Sequence, residues 1–243
     1  TPGNYIFRTR EFEQMEIEYF VKEEDWESAF ESWRREVLSW TDFLGLSREN
    51  IVELDVPSDE LAHYSKKTID FQYRFPFGVD ELYGLAYRTD FDLRNHEKNS
   101  GENMKYRDPH TGEEYWPHVI EPSFGLDRTL LAVLVEHYTE EEDRVVMRFP
   151  SAIAPIKVAV FPLTKKQNER ALEIHQSLSA SFVCDYDDGG SIGRRYRRQD
   201  EVGTPLCLTV DFEEDTVTLR ERDSMEQKRV AIGDLEKEIK KLL

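Results

Sequence analysis

Residues 117–137 read PHVIEPSFGLDRTLLAVLVEH, and the organisation of the chain turns on them. Pro117 to Phe124 is an extended, mostly apolar run. Gly125 permits a tight turn, and residues 129–137 are apolar enough to form a buried helix. Such a strand–turn–helix delivers Glu121, Ser123 and Arg128 to one place. Arg128 falls at the start of the helix, beside backbone N–H groups that favour anions. A carboxylate, a hydroxyl and a guanidinium at one junction suit a ligand that is cationic at one end and anionic at the other. An ordinary strand–helix turn with a surface arginine is the competing reading, so the rest of the chain decides.

The upstream stretch 5–20, YIFRTREFEQMEIEYF, alternates as a long strand. Arg8, Arg10, Phe12, Gln14, Glu16 and Glu18 fall on one face, with cations at one end, an aromatic in the middle and carboxylates at the other. At ~3.3 Å per residue, Phe12 and Glu16 are ~13 Å apart, the span of an aromatic base and an amine. An exposed strand face with cross-strand ion pairs would show the same pattern.

Around these two stretches the pattern divides the chain. Trp26, Phe30, Trp33, Val37, Trp40 and Leu44 recur at helical steps over 24–44. A strand over 51–56, a short helix from Pro57 capped by Ser58, and a strand over 68–78 follow. Gly78 and Gly84 bracket Glu81, where backbone can approach a ligand. Residues 95–114 are polar and read as a loop. Two prolines, Pro150 and Pro155, mark a linker. Beyond it strands alternate with helices: 156–161, 165–180, 182–186, 191–202, 205–212, 216–222 and 230–243. The expected fold is therefore α+β. Residues 1–150 form an antiparallel sheet with helices, and 151–243 an α/β domain with a mixed sheet.

The formal net charge of −18 argues against indiscriminate binding to nucleic acid or membranes. One basic cluster stands out, Arg194-Arg195-Tyr196-Arg197-Arg198, on a segment that reads as a helix. It suits an RNA backbone, or else a solvated face paired with Asp200 and Glu201. Cys184 and Cys207 stand apart, with no metal-ligand spacing, so neither a zinc site nor a disulfide framework is expected. No signal peptide or long apolar span is visible, which makes the cytoplasm the expected location and a membrane partner unexpected.

Together these segments resemble a class II aminoacyl-tRNA synthetase, and more closely the glycyl-tRNA synthetases of the homodimeric kind. The 7–18 segment FRTREFEQMEIE is similar to the second half of class II motif 2, and GLDR at 125–128 to motif 3. The EPS sequence at 121–123 resembles that family's glycine pocket, and SIGRRYRRQDEVGTP at 191–205 resembles the anticodon-binding domain of class IIa enzymes. The likeness covers essentially the whole chain.

The resemblance implies activation of glycine by ATP, with Mg²⁺, and transfer of the glycyl group to tRNA(Gly). It assigns ATP to Phe7, Arg8, Thr9, Arg10, Glu11 and Phe12, to Glu81 and Leu82, and to Gly125, Leu126, Asp127 and Arg128. Arg128 and Arg10 are the implied catalytic residues. It assigns glycine to Phe12, Glu13, Gln14, Met15 and Glu16, to Arg88, and to Glu121, Pro122, Ser123, Phe124 and Gly125. It places tRNA on Arg194, Arg195, Arg197 and Arg198, and it implies a homodimeric full-length enzyme. The family's motif 1 and the opening of its motif 2 have no counterpart here, and Gly3 stands where an arginine is common. The expectation is a C-terminal portion of a longer enzyme that is inactive alone. Two other readings remain: a noncatalytic synthetase-like accessory subunit that binds nucleic acid, and a class IIa synthetase for another amino acid.

Overall fold

The computed structural model describes residues 1–243, which divide into two compact units, 1–136 and 137–243. The first unit is built on six antiparallel strands. These are β1 (Gln14–Glu16), β2 (Tyr19–Val21), β3 (Ile51–Asp55), β4 (Lys67–Phe75) and β5 (Gly78–Thr89), with β8 (His118–Gly125) between β1/β2 and β5. The order across the sheet is β1-β8-β5-β4-β3, and β2 also pairs with β8. Between β5 and β8 lie a helix α2 (Phe91–Ser100) and a small hairpin of β6 (Tyr106–Arg107) and β7 (Glu114–Tyr115).

Helix α1 (Trp26–Phe43) and helix α3 (Leu126–His137) supply the apolar cover. On α1, Phe30 and Val37 are buried at the spacing the sequence gives, and Trp26 stacks on Tyr87 at 4.2 Å. Tyr83 of β5 donates or accepts at Thr129 of α3, 2.9 Å away, and receives the Trp40 indole N–H at 3.2 Å. The odd-numbered residues of β5 (Tyr83, Leu85, Tyr87) therefore face the helices. The even-numbered ones are left for the opposite face of the sheet.

Three local expectations change. The strand over 5–20 is not continuous. Residues 5–13 are irregular, with Asn4 and Tyr5 at positive φ and a single bridge between Gly3 and Arg8. Its remainder is split into β1 and β2 opposite Pro122, although Ile17 N–H still donates to the Pro122 carbonyl at 3.1 Å. A proline has no N–H to return, so the ladder is interrupted there with no change of register. The segment after Pro57 forms turns rather than a helix. The polar stretch 95–114, read as a loop, contains the second half of α2 and the β6–β7 hairpin. Gly101 ends α2 in the left-handed region, with φ of 78°.

The second unit contains a small antiparallel pair, β9 (Tyr138–Glu140) and β10 (Val145–Met147), and a five-stranded mixed sheet. The strands of the sheet are β11 (Val158–Pro162), β12 (Cys184–Tyr186), β13 (Leu206–Val210), β14 (Thr216–Glu221) and β15 (Gln227–Ala231). Their order is β12-β11-β13-β14-β15; β11 is parallel to both neighbours and the last two pairings are antiparallel. Helices α4 (Asn168–Ser179) and α6 (Leu235–Leu242) bury Ile174, Leu178, Leu235 and Ile239 against one face. Helix α5 (Ile192–Val202) covers the other with Ile192 and Tyr196.

The boundary lies ahead of the proline linker because β10 packs on α5. Arg144 reaches Asp200 at 3.2 Å and the Arg222 carbonyl at 2.7 Å. That anchoring ties residues 137–150 to the second unit.

Candidate functional site

The β8–α3 junction behaves as its sequence suggests. Thr129 Oγ1 donates to the Gly125 carbonyl at 2.6 Å and closes the turn. Leu126 N–H donates to the Glu13 carbonyl at 2.9 Å, and Glu13 N–H donates to Asp127 Oδ2 at 3.1 Å. These two bonds fasten the junction to the segment entering β1. Asp127 is thus a tether for backbone as well as part of the cleft wall.

Arg128 spans the cleft that results. Its Nη1 donates to the Glu81 carbonyl at 2.8 Å and to Glu81 Oε2 at 3.2 Å, and its Nε donates to the Phe7 carbonyl at 3.3 Å. The guanidinium lies 4.3 Å over the ring of Phe7, which is itself buried against Phe75 and Phe77. A planar cation stacked on an aromatic and hydrogen-bonded along its edge is held in one orientation. The cleft has a volume of about 310 Å³. Its walls include Phe7, Arg8, Thr9, Phe12, Glu13, Gln14, Glu81, Leu82, Ser123, Gly125, Asp127 and Arg128. Arg10, Glu11 and Leu126 lie outside that wall. Phe12, 65% exposed, stands at its rim with a free aromatic face.

Beside the cleft, the even-numbered face of the sheet gathers polar side chains. In the β1–β8 register Gln14 is opposite Gly125 and Glu16 opposite Ser123. Gln14 Nε2 donates to Ser123 Oγ at 2.6 Å and to Glu16 Oε1 at 2.8 Å. Across β8, Ser123 is opposite Gly84 and Glu121 opposite Ala86. Small residues on β5 therefore leave room above the two polar ones. Glu16 and Glu121, from segments about a hundred positions apart, share this face. Met15, Pro122 and Phe124 alternate with these positions and belong to the helix-facing side; Phe124 packs on Tyr83 with centroids 4.9 Å apart. The sequence expectation had grouped these three with the glycine contacts, and strand alternation separates them.

Arg88 closes the face. Its Nη1 donates to Glu121 Oε2 at 2.6 Å, its Nε donates to Asp92 of α2 at 2.9 Å, and its guanidinium lies 4.1 Å over the ring of Tyr64. Thr89, the next residue, has φ of 60° where the β5–β8 register slips. A β-branched residue in the left-handed region is strained, and here the strain lies beside the residue that reaches Glu121. Burial outweighs Arg88 at Glu121 and, with Glu18, pushes its carboxyl up to about 7. Burial pulls the other way at Arg88, but Asp92 and Glu121 hold that guanidinium above its ordinary value.

Tyr64, Asp92 and Glu18 were not among the expected site residues. Tyr64 lies in a segment read as a helix and Asp92 in the first turn of a helix with no apolar period, so neither carried a signal in sequence. Glu18 was on the right face but was not singled out.

The basic cluster on α5 is not a uniform exposed face. Arg195 is buried and donates to the carbonyls of Pro162, of Asp188 at 2.8 Å and of Gly190 at 2.8 Å. It is a clasp for the 187–190 turn, which corrects its expected place on an RNA-facing surface. Arg198 donates to Asp187 Oδ2 and, at 2.6 Å, to the Gly189 carbonyl. Arg194 is exposed, and half-buried Arg197 lies 3.9 Å from Asp200. Cys207 is buried and Cys184 half-buried, both free, with burial raising both thiols. No cluster of three or more His, Cys, Asp or Glu side chains is gathered for a metal ion, and no helix is long and apolar enough to cross a membrane.

Residues 157–242 match the family model of the anticodon binding domain. In solved structures the chain resembles the prolyl-tRNA synthetase of Cryptosporidium parvum, described as complexed with L-proline and AMP. The TM-score is 0.73 at 20% identity, over 98% of this chain and 51% of that one. The fold is that of a class II aminoacyl-tRNA synthetase carrying an anticodon-binding domain.

Among curated proteins it is 54% identical to the glycine–tRNA ligase of Caldanaerobacter subterraneus subsp. tengcongensis, across 100% of this chain and 54% of that protein. It is 52% identical to those of Alkaliphilus oremlandii and Clostridium acetobutylicum, across 97% and 98% of this chain and 53% of each relative. Over its whole length, then, the sequence is similar to glycine–tRNA ligases, and it spans about half the length of the curated relatives it matches.

Proposed function

We propose that the protein carrying this chain activates glycine with ATP and transfers the glycyl group to tRNA. The reading is supported most by one observation. Glu16, Glu121 and Ser123 occupy one face of the sheet directly beside a cleft spanned by Arg128. An α-amino acid is cationic at nitrogen and anionic at its carboxylate. Laid with its ammonium on the glutamates, it would present the carboxylate toward Arg128 and the nucleotide.

In this reading the amino acid carboxylate attacks the α-phosphate of ATP and pyrophosphate leaves, giving a mixed anhydride. The tRNA terminal hydroxyl then attacks the activated carbonyl and AMP leaves. The chain's residues act by holding groups in line and by neutralising charge. Phe12 and the Arg128 guanidinium offer faces for the adenine, and Arg8 and Arg128 offer donors to the phosphates. Mg²⁺ binds through one or two carboxylates plus substrate phosphates, so no all-protein cage is needed. Glu81, half-exposed on the cleft wall, would be the carboxylate to hold it, and the ion would neutralise phosphate charge. Arg10 lies outside the cleft wall, so Arg128 is the stronger candidate for transition-state charge.

Glycine offers no side chain to grip, so selectivity must come from charge matching and from lack of room beyond Cα. The bonded Gln14–Ser123–Glu16 group fills that space. On the second unit, Arg194 and Arg197 are the cations left for an RNA backbone. A homodimer and a cytoplasmic location complete the proposal.

The test is amino-acid-dependent ATP–pyrophosphate exchange by the full polypeptide with glycine, alanine, serine and proline. Exchange with glycine alone supports the reading; a preference for another amino acid, or none for any, removes it.

A further inference from the structure

Glu18 belongs to no expected contact set, yet the strand register carries it into the amino-acid pocket. Glu16 is opposite Ser123, Tyr19 is opposite Ile120, and Ile17 N–H bonds to the Pro122 carbonyl. Glu18 therefore stands directly opposite Glu121. The 17/122 pair is the hydrogen-bonded one, so 18/121 falls at a non-hydrogen-bonded position, where Cα atoms are only ~4.5 Å apart and side chains are closest. Two carboxylates meet where the ladder lets them come nearest.

The charges around them do not balance. From β5, Arg88 is the one cation at Glu121, and Asp92 of α2 takes up part of it. From the β1–β2 edge come Glu16 and Glu18, and Tyr64 reaches the site only through Arg88. Arg88 bonds one oxygen of Glu121, Oε2. The other oxygen is left for a proton or for a second cation. Glu121 is 9% exposed, so water screens it little.

We propose that Glu18 is a further glycine-binding carboxylate, and that in the empty pocket a proton on Glu121 bridges to it until an incoming ammonium takes its place. This rests on the glycine-activating reading of the same site. The exchange is balanced. One O–H bond on Glu121 breaks, its proton goes to solvent, and the ammonium hydrogens donate to the two carboxylates now ionised. Burial with Glu18 opposite holds the Glu121 carboxyl near neutrality, so the proton is present in the working pH range. The pocket would then lose most of its self-repulsion when empty and recover its full negative charge only when a cation arrives. Neutral side-chain amides would not displace the proton.

The experiment is isothermal titration of the full polypeptide with glycine at pH 6 and pH 8.5, in two buffers of different ionisation enthalpy. The expected result is close to one proton released per glycine at pH 6 and almost none at pH 8.5. Glycine affinity should weaken by up to about tenfold per pH unit below neutrality. Glu18→Gln should move the midpoint of proton release down by about half a pH unit or more. It should also raise KM for glycine while leaving KM for ATP unchanged. Glu18→Asp should restore part of both, which separates the role from a folding defect. Glycine binding without proton release at pH 6, or a Glu18→Gln profile equal to that of the parent, overturns the inference and leaves the proposed function standing. Failure of the parent to bind glycine at any pH overturns both.

Discussion

The ring of Tyr64, on a segment of turns, lies 4.1 Å from the Arg88 guanidinium. Arg88 in turn donates to Glu121 at 2.6 Å. Tyr64 therefore positions a residue that positions a carboxylate. Tyr64→Leu removes a cation–π contact of ~0.5–2 kcal/mol and is expected to raise KM for glycine ~3–10-fold, with KM for ATP unchanged. Tyr64→Phe keeps the face and should restore the parent value. Equal KM values for Leu and Phe would show that the ring does not orient Arg88.

Arg128 is stacked on Phe7 and bonded to two carbonyls and a carboxylate, and only a planar fork can make all of these contacts. Arg128→Lys keeps the charge and loses the geometry. Exchange activity of the full polypeptide is expected to fall ~10²–10³-fold, while melting temperature changes little because the group is at a cleft wall. A lysine variant with near-parent exchange would leave Arg128 only a bulk-charge role.

The folded state holds the Glu121 proton more tightly than an unfolded chain does, so the folded form binds more protons between about pH 4.5 and about pH 7. Stability on this account falls as pH rises through that window. Glu121→Gln, neutral at all pH, should match the parent in melting temperature at pH 4.5 and exceed it at pH 8. Equal melting temperatures at pH 8 would show that the carboxyl is not held against its ionisation.

Asp200 is fully buried, with Arg220 at 2.8 Å and Arg144 at 3.2 Å. Asp200→Asn leaves buried Arg220 without its carboxylate and Arg144 with Glu141 alone, and should cost ~3–5 kcal/mol in denaturant unfolding of the second unit. Arg195→Ala should also destabilise that unit, by freeing the carbonyls of the 187–190 turn. Arg194→Ala should leave stability unchanged and weaken tRNA binding. A loss of tRNA affinity on Arg195→Ala with no loss of stability would return Arg195 to the binding surface.

Much of this was legible from the residues because it rests on period and turn chemistry. The 24–44 helix announces itself by large apolar residues at three- and four-residue steps, and the β8–α3 junction by Gly125 between a strand and an apolar run. The meeting of Glu16 and Glu121 on one face was implied by the family resemblance, since strand alternation alone does not say which strands are neighbours. Other features depend on partners that no local pattern shows. The division of the 5–20 strand is set by Pro122, more than a hundred residues away. Helix α2 has only Phe91 and Leu93 as apolar residues, two positions apart, so periodicity could not find it. The inward turn of Arg195 depends on carbonyls of the 187–190 turn, and a run of arginines looks alike whether it faces water or backbone. The proline linker marks a composition change, whereas the boundary follows Arg144 and its partner Asp200.

Thr89 would be the first position flagged in any scan for stabilising substitutions. Its backbone sits in a region that glycine or asparagine occupies more comfortably. A library selected purely for heat resistance should therefore enrich replacements there, and those survivors are the ones in which the neighbouring guanidinium is no longer aimed. Hardiness and substrate discrimination would then be traded against each other at a single corner of the backbone.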